Sequence, residues 1–272
     1  MNALAPPRRA WVQHLMGMPV SIHLRGEGSR SDDAAARVDA TFDELRAVDA
    51  LFSPYLPDSQ ISRIDRGELE VADAHPLVAE VAALCEAARV LTDGSFDAGY
   101  RSVPGDARRR FDPTGLVKGW AVQRAAEHLA AGLRCDVSVN AGGDVAMRPG
   151  RDPQPWRVGV EDPADPQRIL AVIPVSAGGI ATSGTSRRGR HLVDPLDGTA
   201  VAGPASVTVV GPSLLWADVL ATATFVRGRV AGLAMVEGLA GYEALVVDRD
   251  GTLTTTSGLE PVDQPLIGDM SG

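Results

Sequence analysis

From residue 136 onward the chain is divided into short β-type runs, and this rhythm most restricts its fold. The runs are DVSVN at 136–140, WRVGV at 156–160, ILAVIPV at 169–175 and SVTVV at 206–210. Clusters of Gly, Pro and Asp separate them, and these residues favour turns. Such runs suggest a sheet with few crossover helices, which predicts largely antiparallel pairing.

The first half of the chain carries helical periodicity instead. Ser31, followed by Asp32 and Asp33, predicts a helix start, because a serine side chain caps backbone N–H groups and acids favour the first turn. Apolar residues then recur at steps of three and four and predict one buried stripe: Val38, Phe42, Leu45, Val48 and Phe52. Ser53 and Pro54 end this helix.

Further elements follow from the same signals. Helices are predicted after Pro76 with a stop at Gly94, from about Lys118 to Ala131, and from about Leu215 to Val226. A strand is predicted at Val20 to Leu24, and a closing hairpin turns at Asp250 and Gly251. The predicted class is α+β, a mixed and largely antiparallel sheet core packed with helices and a helical subdomain. We expect one domain over 1–272, helix-rich at about 31–132 and strand-rich at about 133–260.

Composition excludes several classes of function. Hydrophobic residues make up 44% and charged residues 22% of the 272, which is typical of a globular chain. The net charge of −9 disfavours nucleic acid as a partner, since such binding needs dense Lys and Arg. There is no apolar run long enough to span a bilayer, and no signal-type run follows Arg8 and Arg9, so we expect a cytoplasmic protein. Cys85 and Cys135 lack metal-ligand spacing and are expected to be buried thiols rather than a disulfide.

Two loops could carry chemistry. In FDPTGLVKGWAV, at 111–122, a turn opens a helix and Lys118 stands where it could meet a phosphate. An ordinary loop-to-helix junction explains this segment as well. In SVNAGGDVAM, at 138–147, the two glycines would let a ligand approach the backbone, and a tight hairpin explains them equally.

Two further sites come from side-chain chemistry. His191 lies among polar neighbours, including Asp194, that could orient a base, although a lone histidine of this kind is more often structural. Asp218 and Thr222 are four residues apart on an apolar helix, so their oxygens share one face and suit a hard cation such as Mg²⁺. Stabilisation of Asp218 by the helix dipole is the equal alternative.

Several short segments stand in a recognisable order along the chain. They are HLMGMPVSIHL, FSPYLPDSQISRID, GSFDAG, FDPTGLVKGWAV, VNAGGD, ATSG, HLVDPLDG and ADVLATA. Each is weakly specific, whereas the order is strongly specific. Together they resemble the ApbE family, the FAD:protein FMN transferases, over nearly the whole chain, and this resemblance implies an ApbE-like, T-fold-like architecture.

The resemblance also implies roles for individual residues. The residues that match flavin-nucleotide contacts are Met16, Tyr55, Ser95, Phe96, Asp97, Asp112 and Lys118. The residues that match metal ligands are the Asp218 and Thr222 side chains and the Gly115 and Ala221 carbonyl groups. His191 matches the base that deprotonates the incoming hydroxyl, and Asp194 would orient it. The segment after Asp97 departs from the family pattern.

The implied activity is a Mg²⁺-dependent transfer. FAD is the substrate, FMN is joined through its phosphate to a Thr or Ser of an acceptor flavoprotein, and AMP is released. The alternatives are a Mg²⁺-dependent FAD pyrophosphatase and a non-catalytic flavin-binding protein. A homodimer is left open. Many relatives are exported or lipid-anchored, and the expectation of a cytoplasmic protein departs from that pattern.

Overall fold

The computed structural model describes residues 6–100, 110–184, 201 and 203–260. The helices are α1 (Asp32–Phe52), α2 (Gln60–Asp65), α3 (Pro76–Leu91), α4 (Thr114–Ala130), α5 (Leu214–Arg227) and α6 (Arg229–Glu237). The first six strands are β1 (Arg8–Leu15), β2 (Met18–Arg25), β3 (Gly99–Tyr100), β4 (Arg110–Phe111), β5 (Asp136–Ala141) and β6 (Asp144–Arg148). The others are β7 (Trp156–Glu161), β8 (Ile169–Val175), β9 (Gly178–Gly184), β10 (Ser206–Gly211), β11 (Glu243–Val247) and β12 (Leu253–Thr255).

Eight of these strands form one sheet in the order β1-β2-β5-β6-β9-β10-β11-β12. Within the described ranges, every pairing in this sheet is antiparallel. Strand β2 from the first half of the chain pairs with β5 from the second. The predicted α+β class with a largely antiparallel sheet is therefore confirmed.

The helices cover one face of this sheet. Helix α1 begins as predicted, since the Ser31 side chain accepts the Ala34 N–H at 3.1 Å. Its apolar stripe is buried in the same cluster as α3, α4, α5 and the inner residues of β2 and β5. Helix α4 packs against α1, α5 and β5. The face that α4 and α5 share with the sheet is where Lys118 and Asp218 meet.

A hairpin of β7 and β8 covers part of the opposite face. These two strands form their own sheet. The second apolar cluster joins them to β6, β9 and β11: Val145, Met147, Val160, Ala171, Ile173, Val175, Ile180, Leu245 and Val247. This hairpin is the reason that the two strand runs at 156–160 and 169–175 do not lengthen the main sheet.

The predicted boundaries hold except at α4. That helix begins at Thr114, four residues before Lys118, because the Asp112 Oδ1 accepts the Thr114 N–H at 2.9 Å and supports the first turn. Helix α3 stops as predicted, and the Gly94 N–H returns to the Arg89 carbonyl at 2.8 Å. The closing hairpin joins β11 and β12, with Gly251 at φ +86°. Strands β1, β3, β4, β6 and β9 and helices α2 and α6 were not predicted.

Two simpler predictions can also be compared with the structure. Cys85 and Cys135 are both free and buried, which confirms the prediction of buried thiols. Among the described residues, no helix combines the length and the apolar character needed to cross a membrane.

Candidate functional site

A buried charge cluster lies where α4 meets α5 and the sheet. The ammonium group of Lys118, on α4, forms an ion pair with Asp144 Oδ2 of β6 in direct contact. The same Nζ lies 3.5 Å from Asp218 Oδ1 of α5. Asp144 is 1% exposed and Asp218 is 3% exposed. Burial of two carboxylates requires a compensating positive charge, and Lys118 supplies it.

The position of Asp144 follows from the tight turn before it. Gly142 and Gly143 have φ values of +61° and +103° and connect β5 to β6 as a two-residue hairpin. Both torsions suit glycine, which has no Cβ. The Asn140 side chain accepts the Gly143 N–H at 2.9 Å and closes the turn. Of the two explanations open for Ala-Gly-Gly, the structure has the hairpin, and this hairpin delivers Asp144 to Lys118.

Helix α5 carries three of the four predicted metal ligands, Asp218, Ala221 and Thr222. Asp218 lies in its second turn, and the first turn holds no acid. The helix dipole acts mainly within the first turn, so the ion pair with Lys118 explains Asp218 better than the dipole does. One turn further on, the Thr222 Oγ1 lies 3.1 Å from the Ser183 Oγ of β9.

A side chain of α4 fixes the start of α5. The Gln123 Oε1 accepts the Ser213 hydroxyl at 2.7 Å and the Leu215 N–H at 3.1 Å. Gly119 faces Asp218 with no side chain between them. The spacing of α4 and α5, and with it the Lys118 to Asp218 distance, is set by these contacts.

The predicted flavin loop at 95–97 packs onto the start of α4. Phe96 is buried, and a Cβ on Gly115 would lie 3.3 Å from its ring. Arg227, at the end of α5, donates to the Ser95 Oγ at 2.7 Å and to the Thr92 carbonyl at 2.6 Å. Asp97 Oδ1 accepts the Gly99 N–H at 2.7 Å. The loop is therefore tied to the helix that carries Asp218.

Two predicted contacts lie apart from this cluster. Met16 occupies the turn between β1 and β2 at φ +54°, and its backbone N–H bonds to the Asp49 carboxylate. Burial raises the pKa of Asp49, and this hydrogen bond partly opposes the rise. Tyr55 follows α1 and is 91% exposed. The contacts described above join neither residue to Lys118 or Asp218. His191 and Asp194 lie outside the described residues.

The oxygen atoms that these residues offer are of the chemical type that Mg²⁺ prefers as ligands. The described residues contain no group of three or more His, Cys, Asp or Glu side chains arranged to hold a metal ion. Mg²⁺ requires less, because it commonly uses one or two carboxylates with waters and substrate phosphates. Asp218 supplies one carboxylate and Thr222 a hydroxyl. The Gly115 and Ala221 carbonyl groups belong to α4 and α5, and a helical carbonyl oxygen keeps a second lone pair.

Sequence reasoning missed four residues of this site. Asp144 was noted after the two glycines but received no role, although an acid directly after a Gly-Gly turn was a usable signal. Gly119 was considered only as part of the FDPTGLVKGWAV segment and Ser183 only as a polar neighbour of His191, and Arg227 carried no local signal. The roles of all three depend on contacts between distant parts of the chain.

Comparisons with known proteins identify the family of this chain. The model of the ApbE family matches residues 16–105 and 104–246. A Vibrio cholerae protein named FAD:protein FMN transferase is 34% identical over 137 residues, which are 46% of this chain and 41% of that protein. A Haemophilus influenzae protein of the same name is 31% identical over 160 residues, 54% of this chain and 46% of that protein. In both cases the matched stretch is less than half of the relative's length.

Solved structures extend the likeness to the whole fold. The ApbE protein from Thermotoga maritima superposes with a TM-score of 0.80 at 22% identity, over 92% of this chain and 97% of that one. The flavin transferase ApbE from Vibrio cholerae gives a TM-score of 0.76 at 21% identity, over 92% and 96%. At such identities the likeness concerns the fold alone. The ApbE family model matches well over half of the residues of this chain, and the chain therefore belongs to the ApbE family.

Proposed function

We propose that this protein is a Mg²⁺-dependent FMN transferase that uses FAD as substrate. A Thr or Ser hydroxyl oxygen of an acceptor flavoprotein attacks the phosphorus atom next to riboflavin. The bond between this phosphorus and the bridging oxygen breaks, and AMP leaves with that oxygen. The hydroxyl proton passes to a base on the enzyme. The name carried by the curated relatives, FAD:protein FMN transferase, supports this reaction.

One observation carries the proposal. Lys118 was predicted to contact the nucleotide and Asp218 to bind the metal. The Lys118 Nζ lies 3.5 Å from the Asp218 Oδ1, although a hundred residues separate the two in sequence. A cation and a metal-ligating acid at one place suit a dinucleotide diphosphate, whose oxygens need charge neutralisation during phosphoryl transfer. The net charge of −9 does not oppose this, because the positive charge is needed only locally.

Each residue of the site has a separate role in the proposed reaction. Asp218 and Thr222 would hold Mg²⁺ with the Gly115 and Ala221 carbonyl groups. When bound, Mg²⁺ supplies positive charge to the phosphate oxygens of FAD. Lys118 adds one further positive charge, and Asp112 contacts the nucleotide beside it. Loop 95–97, together with Met16 and Tyr55, holds the flavin side of FAD.

Base catalysis is assigned by the family motif. His191 takes the proton from the acceptor hydroxyl, which is a poor nucleophile while neutral. Asp194 orients the imidazole ring. These two assignments rest on HLVDPLDG in the sequence.

An acceptor assay tests the proposal. Purified protein is incubated with FAD, Mg²⁺ and an acceptor domain, and the acceptor mass and free AMP are measured together. Transfer predicts an acceptor heavier by the mass of FMN less one water, with one AMP released per modified acceptor. AMP without a mass increase would indicate a pyrophosphatase, and neither product with retained FAD would indicate a flavin-binding protein.

Two substitutions separate the assigned roles. Asp218→Asn should lower activity in a way that higher Mg²⁺ partly restores. His191→Ala should leave FAD affinity nearly intact and slow transfer by about 10² or more. An equal loss of FAD affinity in both variants would reject the assignment.

A further inference from the structure

Asp144 is a buried acid that the proposed reaction does not use. Its two carboxylate oxygens have separate tasks. Oδ1 accepts the backbone N–H of Thr182, on β9, at 3.1 Å, and this bond fixes the carboxylate against the neighbouring strand. Oδ2 faces the Lys118 ammonium group in direct contact. The rigid hairpin before Asp144 leaves this side chain little freedom.

The two ion pairs of Lys118 are unequal. The contact with Asp144 is direct, whereas the Nζ to Asp218 Oδ1 distance is 3.5 Å. Of these two described contacts, the one with the sheet is closer than the one with α5. An ammonium group and a divalent cation compete for the same carboxylate oxygens, since both are attracted by the same charge. The residue that holds the ammonium group away from Asp218 thus affects how well Asp218 can bind metal.

We propose that Asp144 is a positioning residue that retains Lys118 at the sheet, so that the Asp218 carboxylate stays available to the divalent cation. This inference rests on the proposed function, because it takes Asp218 as a metal ligand. Without the charge of Asp144, Lys118 moves onto Asp218 and closes a tight pair with it. Metal must then displace the ammonium group before it can bind.

The Asp144→Asn variant tests this inference. Asparagine keeps the shape and the Oδ1 acceptor for Thr182. Its amide NH2 group replaces Oδ2 and cannot accept from the Lys118 ammonium group, so both the charge and the acceptor that hold Lys118 are removed. The readout is the Kd for Mn²⁺, measured by EPR titration with FAD present, and it requires no transfer. We expect Asp144→Asn to raise this Kd by about tenfold, the range found when outer partners of metal ligands are removed.

The same substitution in Lys118→Met protein distinguishes movement of Lys118 from the general electrostatic effect of losing one negative charge. Loss of one negative charge weakens metal binding at any nearby acid, whether or not Lys118 takes part. In Lys118→Met protein no ammonium group can move onto Asp218, so only the field effect remains. We expect Asp144→Asn to change the Mn²⁺ Kd by about twofold or less there, and this non-additivity is the signature of coupling.

Asp136→Asn is the matched control. Asp136 is also a buried acid on a strand, 4% exposed, and it pairs with Arg25 at 2.8 Å and accepts the Gly150 N–H. Its replacement should lower the melting temperature and leave the Mn²⁺ Kd unchanged. Equal effects of Asp144→Asn in both backgrounds would overturn this inference alone. A wild-type protein that binds no Mn²⁺ would overturn the proposed metal site and this inference with it.

Discussion

Gly119 of α4 lies directly against Asp218 of α5. A Cβ at position 119 would be 3.0 Å from the Asp218 Cβ, 3.1 Å from its Oδ2 and 3.2 Å from the Leu214 carbonyl oxygen. These distances are tighter than most real side-chain contacts. The absence of a side chain at this position therefore sets how closely the two helices approach, and it places Lys118 within reach of Asp218.

Gly119→Ala should impair function more than folding. Alanine favours a helix interior over glycine by about 0.5–1 kcal/mol, which offsets part of the steric cost. The methyl group must still push Asp218 by a few tenths of an ångström. We expect FMN transfer to fall by about tenfold and to require more Mg²⁺, since small displacements at a reacting site are costly.

The transfer rate as a function of Mg²⁺ concentration measures this effect. Gly238→Ala is the control, because Gly238 ends α6 at φ −76° and its nearest neighbour would be 3.5 Å from a new Cβ. It should behave as wild type. A Gly119→Ala protein with an unchanged rate and an unchanged Mg²⁺ requirement would show that the close approach is not needed.

Thr222 should contribute through its oxygen. Thr222→Val keeps the side-chain shape and removes the hydroxyl group that lies 3.1 Å from the Ser183 Oγ. We expect the apparent Mg²⁺ affinity to fall by about tenfold. Thr222→Ser, which restores the oxygen, should stay within about threefold of wild type.

The control for Thr222 lies two residues further along the same helix. Thr224 is fully buried, and its Oγ1 donates to the Gly232 carbonyl oxygen at the long distance of 3.5 Å. Thr224→Val should leave the Mg²⁺ dependence of transfer unchanged. Equal behaviour of the two valine variants would contradict a ligand role for Thr222.

Arg227 should affect FAD binding through the loop that it holds in place. It donates to the Ser95 hydroxyl, the Thr92 carbonyl and the Asp93 carboxylate, and these bonds fix the loop that carries Phe96. Arg227→Gln removes most of them. We expect the KM for FAD to rise by about fivefold to tenfold with a smaller change in kcat, because a loosened loop weakens binding before chemistry.

Arg229→Gln supplies the comparison for Arg227. Arg229 also pairs with an acid, Asp248 at 2.7 Å, but on an exposed surface where such a pair contributes little. Its KM for FAD should match wild type. Steady-state kinetics on both variants measures the KM for FAD. An unchanged KM in Arg227→Gln would show that this loop does not contribute to FAD binding.

Local patterns predicted most of the fold. The Ser31 cap and the apolar stripe behind it defined α1, and alternating β-branched residues marked β5, β7, β8 and β10, because these signals act between residues close in sequence. The start of α4 was placed too late, since Asp112-Pro113-Thr114 is typical of a turn. In the structure the Asp112 carboxylate supports the helix from Thr114 onward.

The site was harder to predict than the fold. The order of the family motifs predicted that Lys118 and Asp218 lie near each other. In the structure the Lys118 Nζ is 3.5 Å from the Asp218 Oδ1. The ion pair of Lys118 with Asp144 could not be predicted, because it depends on how α4 crosses β6. The contacts of Arg227 and Ser183 at this site were missed for the same reason: each residue acts through a partner more than thirty residues away in sequence.

The Cys85 thiol should stay protonated and unreactive in the native protein. Burial raises its pKa from 9.0 to about 12, and the negative charges of Asp112 and Asp97 add to the effect. The thiolate is the reactive form, so iodoacetamide at pH 8 should leave Cys85 unmodified. Urea-unfolded protein, in which the thiol regains its ordinary pKa, should be alkylated fully under the same conditions.

The same shift predicts a loss of stability in alkali. Between pH 9 and pH 12 the unfolded chain releases the Cys85 proton while the folded chain keeps it. The folded state then binds more protons, so the free energy of unfolding falls as the pH rises through this window. Cys85→Ala removes this contribution and should make the urea midpoint less sensitive to pH above 9. An equally steep decline in the variant, or rapid native alkylation of Cys85, would contradict the raised pKa.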